Sequence, residues 1–207
     1  DEVLGFPLSK LCFEGPEEDL RLTQNTQPAL LTVSTAAMAV LSENGIEPDY
    51  VAGHSLGEYS ALVAAGSLSF ADALRLVRKR GQYMQEAVPV GVGAMAALLK
   101  LPEGKLDEIL AQAAQGDVVS AANLNSPDQV VIAGHAAAVA RAVELAKAAG
   151  AKRAVMLPVS APFHCSLMKP AQMRLAADLE AVTFQDLRYP LINNWQAREI
   201  RTAAEAR

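Results

Sequence analysis

Residues 51–58 read VAGHSLGE, a G-x-S-x-G pattern centred on Ser55. The preceding residues, 46–52, can form a short strand, and the residues that follow have the character of a helix. A serine between a strand and a helix in this pattern is typical of a nucleophile elbow, a sharp turn that exposes the hydroxyl group. We expect glycine at positions 53 and 57 because such a turn leaves no room for side chains. Ser55 Oγ would then lie at a helix N-terminus, where backbone N–H groups can stabilise an oxyanion.

The residues around the elbow predict an α/β unit. Residues 27–43 have apolar side chains at helical spacing, and Asn44-Gly45 is a typical helix end. A further helix is predicted from residue 69 to about residue 86. A helix, a strand and a strand-to-helix turn in this order favour an α/β fold with a parallel sheet.

The pattern changes after the proline- and glycine-rich residues 89–93. The elements predicted there follow the order strand, helix, strand, strand, helix, strand, which is that of a ferredoxin-like subdomain. They cover residues 94–100, 103–115, 117–124, 129–133, 136–149 and 153–157. We therefore predict a large, discontinuous α/β domain, residues 1–88 and 158–207, with a ferredoxin-like subdomain at residues 89–157. A last helix is expected from about residue 166 or 169.

The composition limits the classes of function. A chain of 207 residues, 51% of them hydrophobic, is long enough for one large domain or for one domain with a smaller insert. Its net charge of −5 gives no reason to expect nucleic-acid binding. No apolar run approaches the roughly 18 residues of a membrane span, and no secretory signal is visible. Cys12 and Cys165 form neither a disulfide framework nor a metal-binding spacing, which fits the reducing cytoplasm.

A serine nucleophile needs a general base, and the chain has three histidines. His54 lies inside the elbow, and we expect its side chain to point away from that of Ser55. His135 stands at the predicted start of a helix, where a capping or surface role is expected. His164 lies on a loop between a strand and a helix. It is the remaining candidate for the base, and a partly buried loop histidine is the alternative interpretation.

Basic residues cluster in RLVRKRG, residues 75–81. We expect Arg75, Arg78 and Lys79 to form a solvated helix face. Arg80 lies next to Gly81 and an apolar stretch, so its guanidinium can be buried. A buried guanidinium needs an anionic partner, and its fork geometry suits a carboxylate.

Six segments of the sequence are considered together, namely QPAL (27–30), GHSLGEYS (53–60), Arg80-Gly81, GAMA (93–96), NLNSPDQVVIAGH (123–135) and PFHCSLMKP (162–170). With these segments, the chain resembles the malonyl-CoA:acyl carrier protein transacylases of type II fatty-acid synthesis over nearly its whole length. The resemblance implies a hydrolase-like parallel-sheet domain with an inserted ferredoxin-like (βαββαβ) subdomain.

The resemblance also implies roles for individual residues. Ser55 would be the acylated nucleophile, His164 its base, and Arg80 the clamp for the free carboxylate of the malonyl group. The Leu56 N–H would be one oxyanion donor. Leu at position 56 and Phe163 go with selection of malonyl over methylmalonyl groups in relatives. The remaining residues placed at the substrate site by the resemblance are His54, Asn123 and Asn125.

The implied substrates are malonyl-CoA and acyl carrier protein, with no metal and no cofactor beyond the coenzyme A thioester itself. Because the carrier is strongly acidic in this resemblance, basic residues near the cleft mouth should contact it. The candidates by sequence position are Lys79, Lys152, Arg153 and Lys169.

The chain also departs from the family pattern. Members begin with a strand and a G-Q-G-S-Q loop before the position of Asp1, and continue beyond Arg207 to a G-P-G segment. A catalytically impaired fragment is therefore one alternative. A serine hydrolase or thioesterase on the same elbow is another, since hydrolases of this type place an acid between serine and histidine in chain order. The candidate acids are Asp72, Asp107, Asp117 and Asp128.

Overall fold

The computed structural model describes residues 1–89, 91–159 and 161–207. The chain forms two compact units, a first unit of residues 1–82 and 174–207 and a second unit of residues 83–173. The domain boundaries predicted from the sequence, at residues 88 and 158, remain a prediction.

The described residues open with consecutive helices and continue with strands and helices, and a 3₁₀ turn at Ser166–Met168 precedes the eighth helix. In order they are α1 (Leu8–Glu14), α2 (Glu17–Leu20), α3 (Thr23–Glu43), β1 (Val51–Ala52), α4 (Gly57–Ala64), α5 (Phe70–Glu86), β2 (Gly93–Leu99), α6 (Lys105–Ala114), β3 (Val119–Ser126), β4 (Gln129–His135), α7 (Ala136–Ala148), β5 (Arg153–Met156), α8 (Lys169–Glu180), β6 (Leu191–Ile192), β7 (Glu199–Ile200) and α9 (Ala203–Ala206). The strand predicted at 46–52 is limited to its last two residues, and α3 begins four residues before the predicted start.

The first unit is built around a small mixed sheet. β1 pairs in parallel with β6, with Val51 opposite Leu191, and β6 pairs antiparallel with β7. Helices α3, α4 and α5 contribute buried apolar side chains to the core beside it, among them Leu31, Leu62 and Val77. The parallel pairing places β1 in the sheet, so the chain leaves a sheet strand directly into the elbow.

The second unit has a four-stranded antiparallel sheet in the order β3-β4-β2-β5. Together with α6 and α7 this is the ferredoxin-like βαββαβ arrangement predicted from the sequence. The core holds Leu98 and Ile132 of the sheet and Val139 of α7. Register shifts interrupt the pairing of β3 with β4 between residues 121 and 123 and between residues 124 and 126. Both units combine helices with a sheet, so the α/β fold class is confirmed.

The contact between α3 and α5 explains one error of the sequence analysis. Pro28 lies inside α3 and has no N–H, so the carbonyl group of Gln24 lacks its usual helical donor. Arg78 of α5 supplies a replacement, because its Nη1 donates to Gln24 O at 2.8 Å and also to Asn25 Oδ1. The guanidinium lies 4.7 Å from the centre of the Phe6 ring. The prediction that Arg78 belongs to a solvated helix face is therefore wrong.

Gly81 allows the same two helices to approach closely. A Cβ atom at this position would lie 2.4 Å from the Cα of Gln24 and 2.7 Å from Thr23 O. A larger residue would push α5 away from the start of α3. Glycine at this position therefore allows α5 to place the neighbouring Arg80 close to α3.

None of the helices formed by the described residues combines the length and apolarity that a membrane crossing requires. Likewise, no cluster of three or more His, Cys, Asp or Glu side chains within residues 1–89, 91–159 and 161–207 could hold a metal ion.

Candidate active site

The chain turns sharply at Ser55, as the G-x-S-x-G pattern predicts. Ser55 has a φ of +53°, a left-handed conformation that is uncommon for residues other than glycine. The Gly57 N–H closes the turn by donating to His54 O at 2.9 Å, and α4 begins at Gly57. A strained serine at a strand-to-helix turn is the defining geometry of a nucleophile elbow.

The two glycines of the elbow have different roles. A Cβ atom at Gly53 would lie 1.9 Å from the carbonyl carbon of Gly57, so only glycine fits there. A Cβ atom at Gly57 would meet nothing within 4 Å. The expectation that both positions lack room is therefore right for Gly53 and wrong for Gly57, where the start of α4 faces open space.

The guanidinium of Arg80 contacts the candidate nucleophile. Its Nη2 donates to Ser55 Oγ at 3.0 Å, and its Nη1 donates to Gln27 Oε1 at 2.6 Å. Gln27 is itself buried, with 5% of its surface exposed, and its Nε2 donates to Thr23 Oγ1 at 2.9 Å. The Tyr59 ring lies beside the guanidinium, with 5.8 Å between the ring centre and Arg80 Cζ. These contacts fix the guanidinium at the hydroxyl group.

Electrostatics make this arginine receptive to an anion. Burial lowers the pKa of Arg80 from its ordinary value, while Tyr59 and Glu58 act in the opposite direction. Both of its hydrogen-bond acceptors among the described residues are neutral oxygens. A partly buried cation with neutral partners gains most from an incoming carboxylate, since charge-assisted bonds are the stronger kind.

Leu56 links the elbow to α4. It occupies the N-cap position of that helix, and its side chain packs against the core of the first unit. Its N–H makes no hydrogen bond to a described residue, as expected for the first N–H groups of a helix. The backbone N–H one residue after the nucleophile is an expected donor of an oxyanion site.

The structure places the predicted site residues in two groups. Ser55, Leu56, Arg80 and an exposed His54 belong to the first unit, where Ser55 and Arg80 are in contact. The other four, His164, Phe163, Asn123 and Asn125, belong to the second unit.

In the second unit, His164 is exposed and has a φ of +60°. The half-buried Phe163 packs against apolar side chains of the second unit. Burial raises the pKa of the neighbouring Cys165 thiol, which donates to Pro162 O at 3.2 Å. Asn123 pairs with Val131 in the sheet.

The exposed Asn125 lies in a register shift of β3, where the strand is free of regular pairing. The other histidine of this unit is His135. It stands at the N-cap position of α7 without capping the helix, and its Nδ1 accepts the Val118 N–H at 3.0 Å.

Two residues at the elbow were missed by the sequence analysis. Asn194 Oδ1 accepts the Ser55 N–H at 2.7 Å, and the Asn194 N–H donates to Glu58 Oε1 at 3.1 Å. Asn193-Asn194 directly follows β6, and asparagine is common in turns. That signal predicts a turn but not a contact with Ser55, which is 139 residues away.

Comparison with known proteins agrees with this geometry. The acyl transferase domain family matches residues 1–206. A malonyl CoA-acyl carrier protein transacylase of Escherichia coli O157:H7 is 55% identical over 193 residues, which are 93% of this chain and 62% of that protein. One from Bacillus subtilis is 54% identical over 198 residues, covering 95% of this chain and 62% of that protein.

Solved structures give the same result. The malonyl CoA-acyl carrier protein transacylase of Coxiella burnetii has a TM-score of 0.96 at 49% identity, covering 99% of this chain and 65% of that one. A malonyl-transacylase in complex with a type II PKS acyl-carrier protein has a TM-score of 0.96 at 50% identity, covering 99% and 66%.

The chain thus spans about 62% of the length of the curated relatives it matches. The resemblance seen in the sequence motifs is confirmed by these matches. Since the family match covers nearly the whole chain and the fold agrees, the chain belongs to the acyl transferase domain family.

Proposed function

We propose that this protein transfers a malonyl group from malonyl-CoA to the phosphopantetheine thiol of acyl carrier protein in fatty-acid biosynthesis, through a malonyl ester on Ser55. The observation that carries the proposal is the 3.0 Å hydrogen bond from Arg80 Nη2 to Ser55 Oγ. A cation fixed at the nucleophile fits an acyl group that ends in a carboxylate.

Arg80 acts as a clamp in this proposal. Its planar guanidinium can bind the malonyl carboxylate with two parallel hydrogen bonds, while Gln27 and Tyr59 hold it in place. A bound carboxylate at one end of the acyl group fixes the thioester carbonyl at the other end close to Ser55 Oγ. This restriction converts random encounters into near-attack geometry. An acetyl group has no carboxylate and gains nothing from the clamp.

The first half-reaction acylates the serine. His164, as an imidazole base, takes the Ser55 proton while Oγ attacks the thioester carbonyl of malonyl-CoA. The tetrahedral oxyanion receives a hydrogen bond from the Leu56 N–H. The C–S bond then breaks, and the coenzyme A sulfur leaves with the proton from the imidazolium.

The second half-reaction runs the same chemistry in reverse with a new thiol. His164 takes the proton of the pantetheine thiol, and the sulfur attacks the ester carbonyl on Ser55. The C–O bond breaks, and Oγ recovers the proton. Coenzyme A enters as part of the thioester substrate and leaves as the free thiol, so the reaction as written needs no metal or further cofactor.

The remaining predicted residues contribute to substrate binding in the same proposal. Phe163 and the Leu56 side chain restrict the space beside the acyl group and so favour malonyl over methylmalonyl groups. His54, Asn123 and Asn125 supply polar contacts to the substrate. Support comes from the motifs that contain them and from the exposed positions of His54 and Asn125.

Basic side chains are proposed to receive the acidic carrier protein. Lys152, Arg153 and Lys169 are exposed and suit this role. Lys79 is the weakest candidate because its ammonium group already binds the Asp178 carboxylate. A relative seen in complex with an acyl-carrier protein supports this kind of partner. We place the reaction in the cytoplasm.

The hydrolase alternative receives less support. Asp72 accepts a hydrogen bond from Ser69 Oγ at 2.7 Å and pairs with Arg75. Two further candidate acids are also paired, since Asp117 binds Arg141 at 2.9 Å and Asp128 lies 3.7 Å from Lys100. Carboxylates engaged in this way are poor candidates to orient a catalytic histidine.

Mass spectrometry tests the proposal. The protein is mixed with malonyl-CoA, and the adduct is located by peptide mapping, with Ser55→Ala as the control. We expect a malonyl adduct on Ser55 that persists until acyl carrier protein carrying its pantetheine arm is added, and then moves to that thiol. Release of free malonate at the same rate without the carrier would identify a hydrolase instead.

A further inference from the structure

The backbone of the candidate nucleophile is fixed by a side chain from a distant part of the chain. Asn194 lies in the turn between β6 and β7, and its Oδ1 accepts the Ser55 N–H at 2.7 Å. The Asn194 N–H in turn donates to Glu58 Oε1 at 3.1 Å, in the first turn of α4. The three residues form a closed connection between the elbow, the β6–β7 turn and α4.

We propose that Asn194 is a positioning residue that holds Ser55 in its reactive conformation, and that Glu58 anchors Asn194 for this role. The proposal rests on the proposed function only for the identity of the reaction. The geometric claim concerns the Ser55 backbone and applies to any acyl donor.

The reason lies in the left-handed backbone of Ser55. A serine with a φ of +53° is held there only when its surroundings supply enough contacts to outweigh the strain. The bond to Asn194 is such a contact, because the direction of the Ser55 N–H depends on φ. If φ relaxed to a negative value, the Cα–Cβ bond would rotate and Oγ would leave the guanidinium of Arg80.

The turn that carries Asn194 is itself well ordered. Asn193 Oδ1 accepts the Gln196 N–H at 3.0 Å, and the Asn193 N–H donates to Arg198 O at 2.9 Å. Glu58 adds a charge-assisted bond to the next backbone N–H along. The Asn194 side chain is therefore presented to Ser55 from a fixed position.

The Asn194 side chain is not part of the apolar core of the first unit. The residue is exposed, whereas the neighbouring core is formed by apolar side chains such as Leu191 and Ile200. Its substitution should consequently leave the fold intact and change the elbow alone. This difference makes the role testable.

The test compares three substitutions. Asn194→Leu has a similar size but no acceptor, Asn194→Ala removes the side chain, and Asn194→Asp keeps an acceptor oxygen. Ser55 reactivity is measured first with a fluorophosphonate probe, which replaces malonyl-CoA and has no carboxylate for Arg80 to bind. It is then measured as the rate of malonyl adduct formation. Gln196→Ala, in the same turn but without a contact to Ser55, is the matched control.

We expect Asn194→Leu and Asn194→Ala to slow both reactions by roughly 10- to 100-fold, the usual effect of a small misplacement of a reacting group. The KM for malonyl-CoA should change little, and Asn194→Asp should restore most of the rate. Hydrogen exchange at the Ser55 amide should become faster in the Leu and Ala variants and remain slow in the Asp variant.

Anchoring by Glu58 is tested in the same way. Glu58→Gln keeps an acceptor for the Asn194 N–H and should react like the wild type, whereas Glu58→Leu should be slow. Wild-type probe rates and wild-type amide exchange in Asn194→Leu would overturn the proposal, and so would an Asp variant as slow as the Leu variant. Probe labelling that depends on the acceptor, in a protein that malonyl-CoA does not acylate, would refute only the proposed function.

Discussion

A Cβ atom at position 53 would lie 1.9 Å from the carbonyl carbon of Gly57, 2.0 Å from its oxygen and 2.3 Å from Glu58 N. Non-bonded carbon atoms need about 3.5 Å, so Gly53→Ala must open the elbow by roughly 1.5 Å. The obstructing atoms are backbone and cannot rotate away. We therefore expect a loss of about 3 kcal/mol in the free energy of unfolding, the upper end of the usual cost of overpacking. The same shift moves Ser55 and should slow its acylation by about 100-fold.

Gly57→Ala is the matched control for stability. Its Cβ atom meets nothing within 4 Å, and the residue begins α4. We expect it to raise the free energy of unfolding by up to about 1 kcal/mol, because alanine favours a helix over glycine. Urea unfolding gives both free energies, and fluorophosphonate labelling of Ser55 gives the reactivity of the Gly53 variant. Equal stability of Gly53→Ala and wild type, or a larger loss for Gly57→Ala, would refute the steric account.

Arg80→Ala should lower acylation of Ser55 by malonyl-CoA relative to acetyl-CoA by roughly 10- to 150-fold, since a hydrogen bond to a charged group contributes about 1.5–3 kcal/mol. Competing adducts are counted by mass spectrometry, and equal losses for the two acyl groups would contradict the clamp. Arg78→Met should lower the free energy of unfolding by about 1–3 kcal/mol through the lost bonds to α3. The exposed Arg75→Met is its control, with an expected change of less than about 0.5 kcal/mol in urea unfolding. Burial raises the pKa of Tyr59 above its ordinary 10.0, so the unfolded chain loses that proton first and stability falls as pH rises above this value. The urea midpoint of the wild type should therefore be lower at about pH 10.5 than at about pH 9, and Tyr59→Phe should make this difference smaller. An equal difference in the two proteins would exclude Tyr59 as the source of the pH dependence.

Local signals in the sequence were sufficient for much of this molecule. The elbow at Ser55 follows from five consecutive residues, and the alternation of strands and helices in residues 93–156 follows from periodicity and turn residues. The close packing at Gly53 could be predicted for the same reason, because its cause lies within the elbow itself. The apolar neighbours of Arg80 indicated that its guanidinium can be buried, and the structure shows this side chain partly buried.

The features that were missed depend on contacts between distant residues. Nothing in the local sequence distinguishes Arg78 from its exposed neighbours in α5. Its partial burial comes from contacts with Gln24, Asn25 and Phe6, which are distant in sequence. β6 and β7 have two residues each, too few to show a period. The contact of Asn194 with Ser55 spans 139 residues, and no local pattern encodes it.

That separation has a consequence for the order of events during protein synthesis. β1 and Ser55 leave the ribosome early, but their partners Leu191 and Asn194 are made only after the whole second unit. The second unit is continuous in sequence and can fold as soon as it is complete, whereas closing the first unit must bring distant segments together. A growing chain therefore carries its serine without the side chain that fixes it. The Ser55 backbone therefore gains its hydrogen bond to Asn194, and β1 its parallel partner, only after β6 and the β6–β7 turn have been made.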